Sequence, residues 1–163
     1  MIAWDDVLAA VSASFAGRSD GARQTLLACW DATADDQHAQ RCVIAHYLAD
    51  QQDDLAEETA WDERALAAHR SVVDEDLRPI GVPSARGFAP SLHLNLADDY
   101  FRQGRLDDAE HHLEHARAFQ DVLSDEGYGA MIRAGLDQLE ARLAERRRDP
   151  GCMSGLRAGR RCS

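Results

Sequence analysis

The sequence predicts an all-α domain, and three observations carry that prediction. Apolar residues recur at spacings of three and four in one segment after another, the period of a helix that buries one face. No segment alternates apolar and polar residues between turn signals, as a half-buried strand would. Glycine, proline and capping residues punctuate the helical stretches at intervals short enough to fold neighbouring helices back on each other. At 163 residues the chain is one domain long and can bury roughly 70% of the surface its unfolded form exposes, so no disulfide staple is needed.

Taken in order, Trp4, Val7, Leu8, Val11 and Phe15 form the first stripe, and Gly17 follows as a stop. Ala22, Leu26, Trp30 and Thr33 form the second, with Ser19 and Asp20 as candidate caps. Cys42, Ile44, Tyr47 and Leu48 mark a third helix over about 37–52, and Trp61, Ala65, Ala68 and Val72 a fourth. Residues 75–89 contain Pro79, Gly81, Pro83 and Gly87 and predict a long irregular connection. Pro90 suits the first turn of a fifth helix, where its missing N–H costs nothing. Leu96, Ala97 and Tyr100 lie on one face of that helix, which Gly104 closes; Leu106, Ala109, Leu113 and Ala116 face back from a sixth. Small residues at 97, 109 and 116 allow close antiparallel approach, and Tyr100 fills the space between. Tyr128, Ile132, Leu136, Leu139 and Leu143 give a last amphipathic helix.

Charge is distributed unevenly. The net charge is −11, but residues 1–141 carry 11 Arg against 27 acids and residues 142–163 carry 7 Arg against 2, so the body stands at −16 and the end at +5. A body that acidic repels phosphate backbones and anionic membranes, which predicts no nucleic-acid partner and no membrane partner. No lysine is present, which excludes mechanisms that need an ammonium or a free amine, including a P-loop lysine and a Schiff base. The four cysteines, Cys29, Cys42, Cys152 and Cys162, form no CxxC pair. The first residues contain acids where a leader would need positive and then apolar runs, and no stretch approaches the ~20 apolar residues of a membrane span. A cytoplasmic protein with reduced thiols is expected. Residues 1–145 are expected to form the domain, and the Arg-rich tail over 146–163 to be disordered.

Residues 91–119, SLHLNLADDYFRQGRLDDAEHHLEHARAF, resemble a tetratricopeptide repeat, whose pattern is Trp-x2-Leu-Gly-x2-Tyr followed by Ala-x3-Phe and a further Ala. The matching residues are Leu96, Ala97 in the Gly position, Tyr100, Ala109, Leu113 in the Phe position, and Ala116; His93 stands in the Trp position. Residues 44–68 look like a degenerate second copy, with Ile44 and Ala45 in the Leu-Gly positions and an alignment that fails after Leu55. The resemblance implies antiparallel helix hairpins stacked as a short right-handed superhelix of about seven helices, the last one a cap. It also implies a concave groove that binds a peptide or helix of a partner protein, lined by Ser91, Leu94, Asn95, Asp98, Phe101 and Arg102. The protein is then a scaffold or adaptor and not an enzyme, without cofactor or metal. Self-association through the same groove, giving a homodimer or structural subunit, is an alternative.

Other constellations are weaker. His111 and His115 are i, i+4 on a helix, but no HExxH arrangement accompanies them and the repeat frame puts them on a solvated outer face. Cys42 and His46 are also i, i+4, and with Cys29 and His38 they allow a zinc- or thiol-dependent enzyme as the competing class. The spacing matches no standard ligand framework, and a buried core cysteine explains Cys42. Paired acids such as Asp107 and Asp108 sit where a helix's first turn favours negative charge.

Overall fold

The computed structural model describes residues 1–148. Among the described residues it contains eight α-helices and no strand: α1 (Trp4–Ser14), α2 (Asp20–Asp31), α3 (His38–Ala49), α4 (Leu55–His69), α5 (Asp74–Leu77), α6 (Ala89–Arg102), α7 (Leu106–Ala118) and α8 (Gly127–Arg148). Seven of these are the helices expected from periodicity. The eighth, α5, is a single turn inside the proline- and glycine-rich connection.

Local chemistry sets several boundaries. The Ser19 hydroxyl accepts from the Ala22 N–H at 3.1 Å and opens α2, and the Asp54 carboxylate accepts from the Ala56 and Glu57 N–H groups at 3.0 Å and opens α4. Pro90 lies within the first turn of α6. Gly104, at φ +78°, reverses the chain after α6 in the left-handed region, where a side chain is strained. Residues 75–89 are more ordered than a loose linker: α5, two 3-10 turns, and a bond from the Ala85 N–H to the Asp74 carboxylate at 2.7 Å hold them. Leu77 and Ala85 bury against Ala39, with Trp4, Val72, Ile80 and Val82 around them.

The helices pack as successive hairpins, α1 with α2, α3 with α4 and α6 with α7, and α8 closes the last pair. The core runs through the stack without a gap. Val7, Val11, Leu26, Ile44 and Leu48 join the first three helices. Cys42, Ala45, Ala65 and Leu92 join α3, α4 and α6. Leu96, Tyr100, Leu113, Leu136 and Leu143 join α6, α7 and α8. Trp30 and Trp61 meet edge to face at 5.1 Å across the first junction, and Leu66 packs against both later clusters. Each hairpin completes the apolar face of its neighbour, as a helical-repeat stack requires. No helix among the described residues is long and apolar enough to cross a membrane.

The last helix continues through Arg148, so Arg146, Arg147 and Arg148 are helical. The rest of the Arg-rich tail, including Cys152 and Cys162, lies outside the described residues.

Candidate functional site

The six residues named from the repeat all lie on α6, and the structure gives them unequal exposure. Ser91 is buried, with its hydroxyl donating to the Phe88 carbonyl at 2.9 Å. Leu94 is half-buried against Gly135 of α8. Asn95 is half-buried and its amide reaches the Asp62 carboxylate at 3.3 Å and the His46 ring at 3.4 Å. Asp98 pairs with Arg142 of α8 at 2.9 Å. Phe101 is half-buried beneath two guanidiniums, Arg142 at 4.5 Å and Arg146 at 5.9 Å from the ring centre. Arg102 is exposed and grips Glu58 of α4 through both terminal nitrogens, at 2.7 and 2.8 Å.

Beneath Asn95 and Arg102 a polar layer separates α4 from α6. Asp62 and Asp99 are 2% and 1% exposed. Burial, reinforced by the nearby charges of Asp62 and Glu58, pushes the Asp99 carboxyl up to about 8 against the opposing effects of Arg102 and a Thr59 hydrogen bond. One Asp99 oxygen, Oδ2, has no hydrogen-bond partner. Gln103 donates to the Thr59 hydroxyl at 2.7 Å, completing the layer. These side chains tie the third hairpin to the second.

Aromatic rings beyond those of α6 meet between α1, α3 and the turn before α6, and α8 adds exposed apolar side chains. Phe15, 70% exposed at the end of α1, meets Tyr47 of α3 edge to face at 5.6 Å. Tyr47 packs beside His46 at 5.2 Å, and His46 faces Phe88 at 6.4 Å. Tyr128 of α8 is 50% exposed, and burial raises its hydroxyl above the ordinary tyrosine range with Ser91 opposing. Met131 stands one turn further along α8, also exposed. Phe15 and Tyr128 read in the sequence as members of core stripes. The signal that separates them is position: each stands at a helix end, where a stripe runs past its partner helix.

The competing cysteine chemistry is unfavourable. Cys42 is buried, and desolvation pushes its thiol up to about 12, so the nucleophilic thiolate does not form near neutrality. Cys29 is likewise buried and raised. His46 directs its ring to Asn95 and Asp62. Among the described residues, no group of three or more His, Cys, Asp or Glu is arranged to hold a metal ion.

The repeat hairpin itself follows the predicted register. Leu96, Ala97, Ala109, Leu113 and Ala116 are buried, and Tyr100 joins them at 6% exposure. Its hydroxyl donates to Glu63 at 2.6 Å, and Arg105 stacks on its ring at 4.2 Å.

Helix hairpins stacked in succession through a shared core define a helical-repeat protein. The family model described as tetratricopeptide repeat matches residues 90–115, so α6 and α7 form a tetratricopeptide-like hairpin; a single repeat is matched. No curated protein and no solved structure matches the chain.

Proposed function

We propose that the protein is an interaction module, a scaffold or adaptor that binds a peptide or helix of a partner protein on the face formed by its first helices. The observation that carries this reading is the exposed Phe15 ring of the first hairpin packed edge to face on Tyr47 of the second, with Asn95 reaching His46 beside Tyr47 and a further exposed aromatic, Tyr128, on α8. Exposed aromatic anchors surrounded by polar groups are the residue types that dominate binding energy at protein interfaces. Tetratricopeptide repeats commonly serve protein partners, which supports the same reading. Free buried thiols at Cys29 and Cys42 accord with a reducing, cytoplasmic setting.

The test uses affinity capture with the full chain, a Phe15→Ala/Tyr128→Ala double variant and a chain ended at residue 148. Both aromatics are well exposed, so the double variant should melt within a few degrees of the parent. Partners lost from it and kept by the shortened chain place binding on the aromatic face. Loss only on shortening places binding in the Arg-rich tail and removes this reading. A dimer seen in sedimentation that the double variant dissolves assigns the face to a second copy of the chain.

A further inference from the structure

Five of the seven histidines in the chain, His69, His93, His111, His112 and His115, line one open pocket of about 450 Å³. It lies between α4 and α7, in the valley between the second helices of successive hairpins and apart from the aromatic face. Two arginines, Arg70 and Arg86, complete its polar wall, while Leu66, Ala89 and Phe119 supply apolar surface. No carboxylate lines it. In a chain of net charge −11, where most arginines are paired with acids, neither Arg70 nor Arg86 reaches a carboxylate among the described residues; Arg86 lies over the Phe119 ring at 5.5 Å.

We propose that this pocket binds a small molecule bearing a phosphate group, held by Arg70, Arg86 and the imidazole cluster, with its organic part against Phe119 and Leu66. A phosphate offers three oxygens and up to two charges, which matches this many donors better than the two oxygens and single charge of a carboxylate. The volume suits a phosphate with a small organic substituent. The rings are packed as a unit: His93 and His112 share a hydrogen bond between their Nδ1 atoms at 2.9 Å, His93 stacks on His115 at 5.2 Å, and His111 meets His115 at 4.3 Å. His69 is oriented by the Ala85 carbonyl at 2.8 Å. A metal ion is the obvious rival for such a cluster. Two guanidinium charges on the wall oppose a cation, and the rings do not converge as a ligand set.

Burial and mutual repulsion among these histidines lower His93 and His112 to about 4, with Asp108 and Glu63 pulling His112 the other way. A phosphate in the pocket adds negative charge that reverses this repulsion, so binding and imidazole protonation strengthen each other. The experiment follows imidazole signals by NMR across a pH series, in inorganic phosphate and in chloride at equal ionic strength. Phosphate should produce saturable shifts confined to the five histidines and raise the pKa of His93 and His112 toward the ordinary imidazole range. Arg70→Gln and Arg86→Gln, both at exposed positions, should each weaken phosphate binding about tenfold while leaving circular dichroism unchanged. The proposal is overturned if phosphate at tens of millimolar shifts none of these signals. It is also overturned if the arginine variants bind phosphate as the parent does, or if zinc alone, at one equivalent, perturbs the cluster.

Discussion

Tyr100 carries two separable contributions. Its ring fills the space left by Ala97, Ala109 and Ala116 between α6 and α7, and its hydroxyl reaches Glu63 of α4. Tyr100→Ala should therefore cost about 3–5 kcal/mol through the cavity it leaves. Tyr100→Phe keeps the ring and should cost about 1 kcal/mol, the net worth of one hydrogen bond to an exposed partner. Chemical denaturation of both variants checks the ratio, and equal losses would mean the ring is not the filler. Phe101, the next residue, is less innocent than its neighbouring position on the helix suggests. It packs against the same core from its edge and carries Arg142 and Arg146 on its face, so Phe101→Ala should cost about 1–2 kcal/mol. Arg102 is exposed as the groove reading expects, and its paired hydrogen bonds to Glu58 also make it part of the joint between hairpins. The sequence could not reveal this, because the two residues are separated by a hairpin boundary and no local spacing relates them.

At the scale of elements, α8 has close approaches at two glycines, one to α6 and one to the turn that leads into α8. Leu94 of α6 packs directly on Gly135, and a Cβ at Gly129 would lie inside contact distance of the Ser124 backbone. The backbone of Ser124 cannot rotate out of the way as a flexible side chain can. Gly129→Ala should accordingly cost about 1–3 kcal/mol, as overpacking does, and hydrogen exchange should rise in the first turns of α8 while α1 to α4 keep their protection. Uniform loss of protection would overturn this account. The α3 to α4 hairpin illustrates how far element reading reaches. Its helices were recognisable from apolar periodicity, and the structure pairs them as a hairpin like α6 with α7. Its repeat register was not recoverable after Leu55, since a helix needs only an apolar stripe to pack and tolerates replacement of the small signature residues where a neighbour can fill the space.

For the whole molecule, the buried Asp99 and the half-buried pair His93 and His112 shape stability against pH in opposite senses. Asp99 is raised from 3.8 to about 8, so between those values the folded chain keeps a proton that the unfolded chain has lost. Its contribution is present at low pH and is lost as pH rises through about 8. His93 and His112 are lowered from 6.5 to about 4, so in that window the unfolded chain takes up protons that the folded one refuses. Their contribution is lost as pH falls. The melting temperature should therefore peak slightly on the acid side of neutrality. Asp99→Asn should flatten the decline above the peak, and His93→Gln with His112→Gln should flatten the decline below it. Thermal melts across pH 5 to 9 in chloride, without phosphate, test both limbs, and unchanged curves in the variants would assign the dependence elsewhere.

What the sequence by itself determined was the part of this protein governed by local periodicity. The all-helical class, the seven main helices and the stop at Gly104 follow from residues within one or two turns of each other, where helix geometry fixes which side chains share a face, and the packing of Tyr100 and the tetratricopeptide-like hairpin follow from residues within one short hairpin. Tertiary structure alone decided the rest. It joined Phe15 and Tyr47 from separate hairpins, turned Asn95 and Arg102 toward Asp62 and Glu58 across a hairpin boundary, and drew His69 and His93 beside the HHLEH run of α7. Phe15 is 32 positions from Tyr47, Asp62 33 from Asn95 and Glu58 44 from Arg102, and their meeting depends on how one hairpin is rotated and shifted on the next. That rotation is set by the summed fit of many small side chains, which no single spacing encodes.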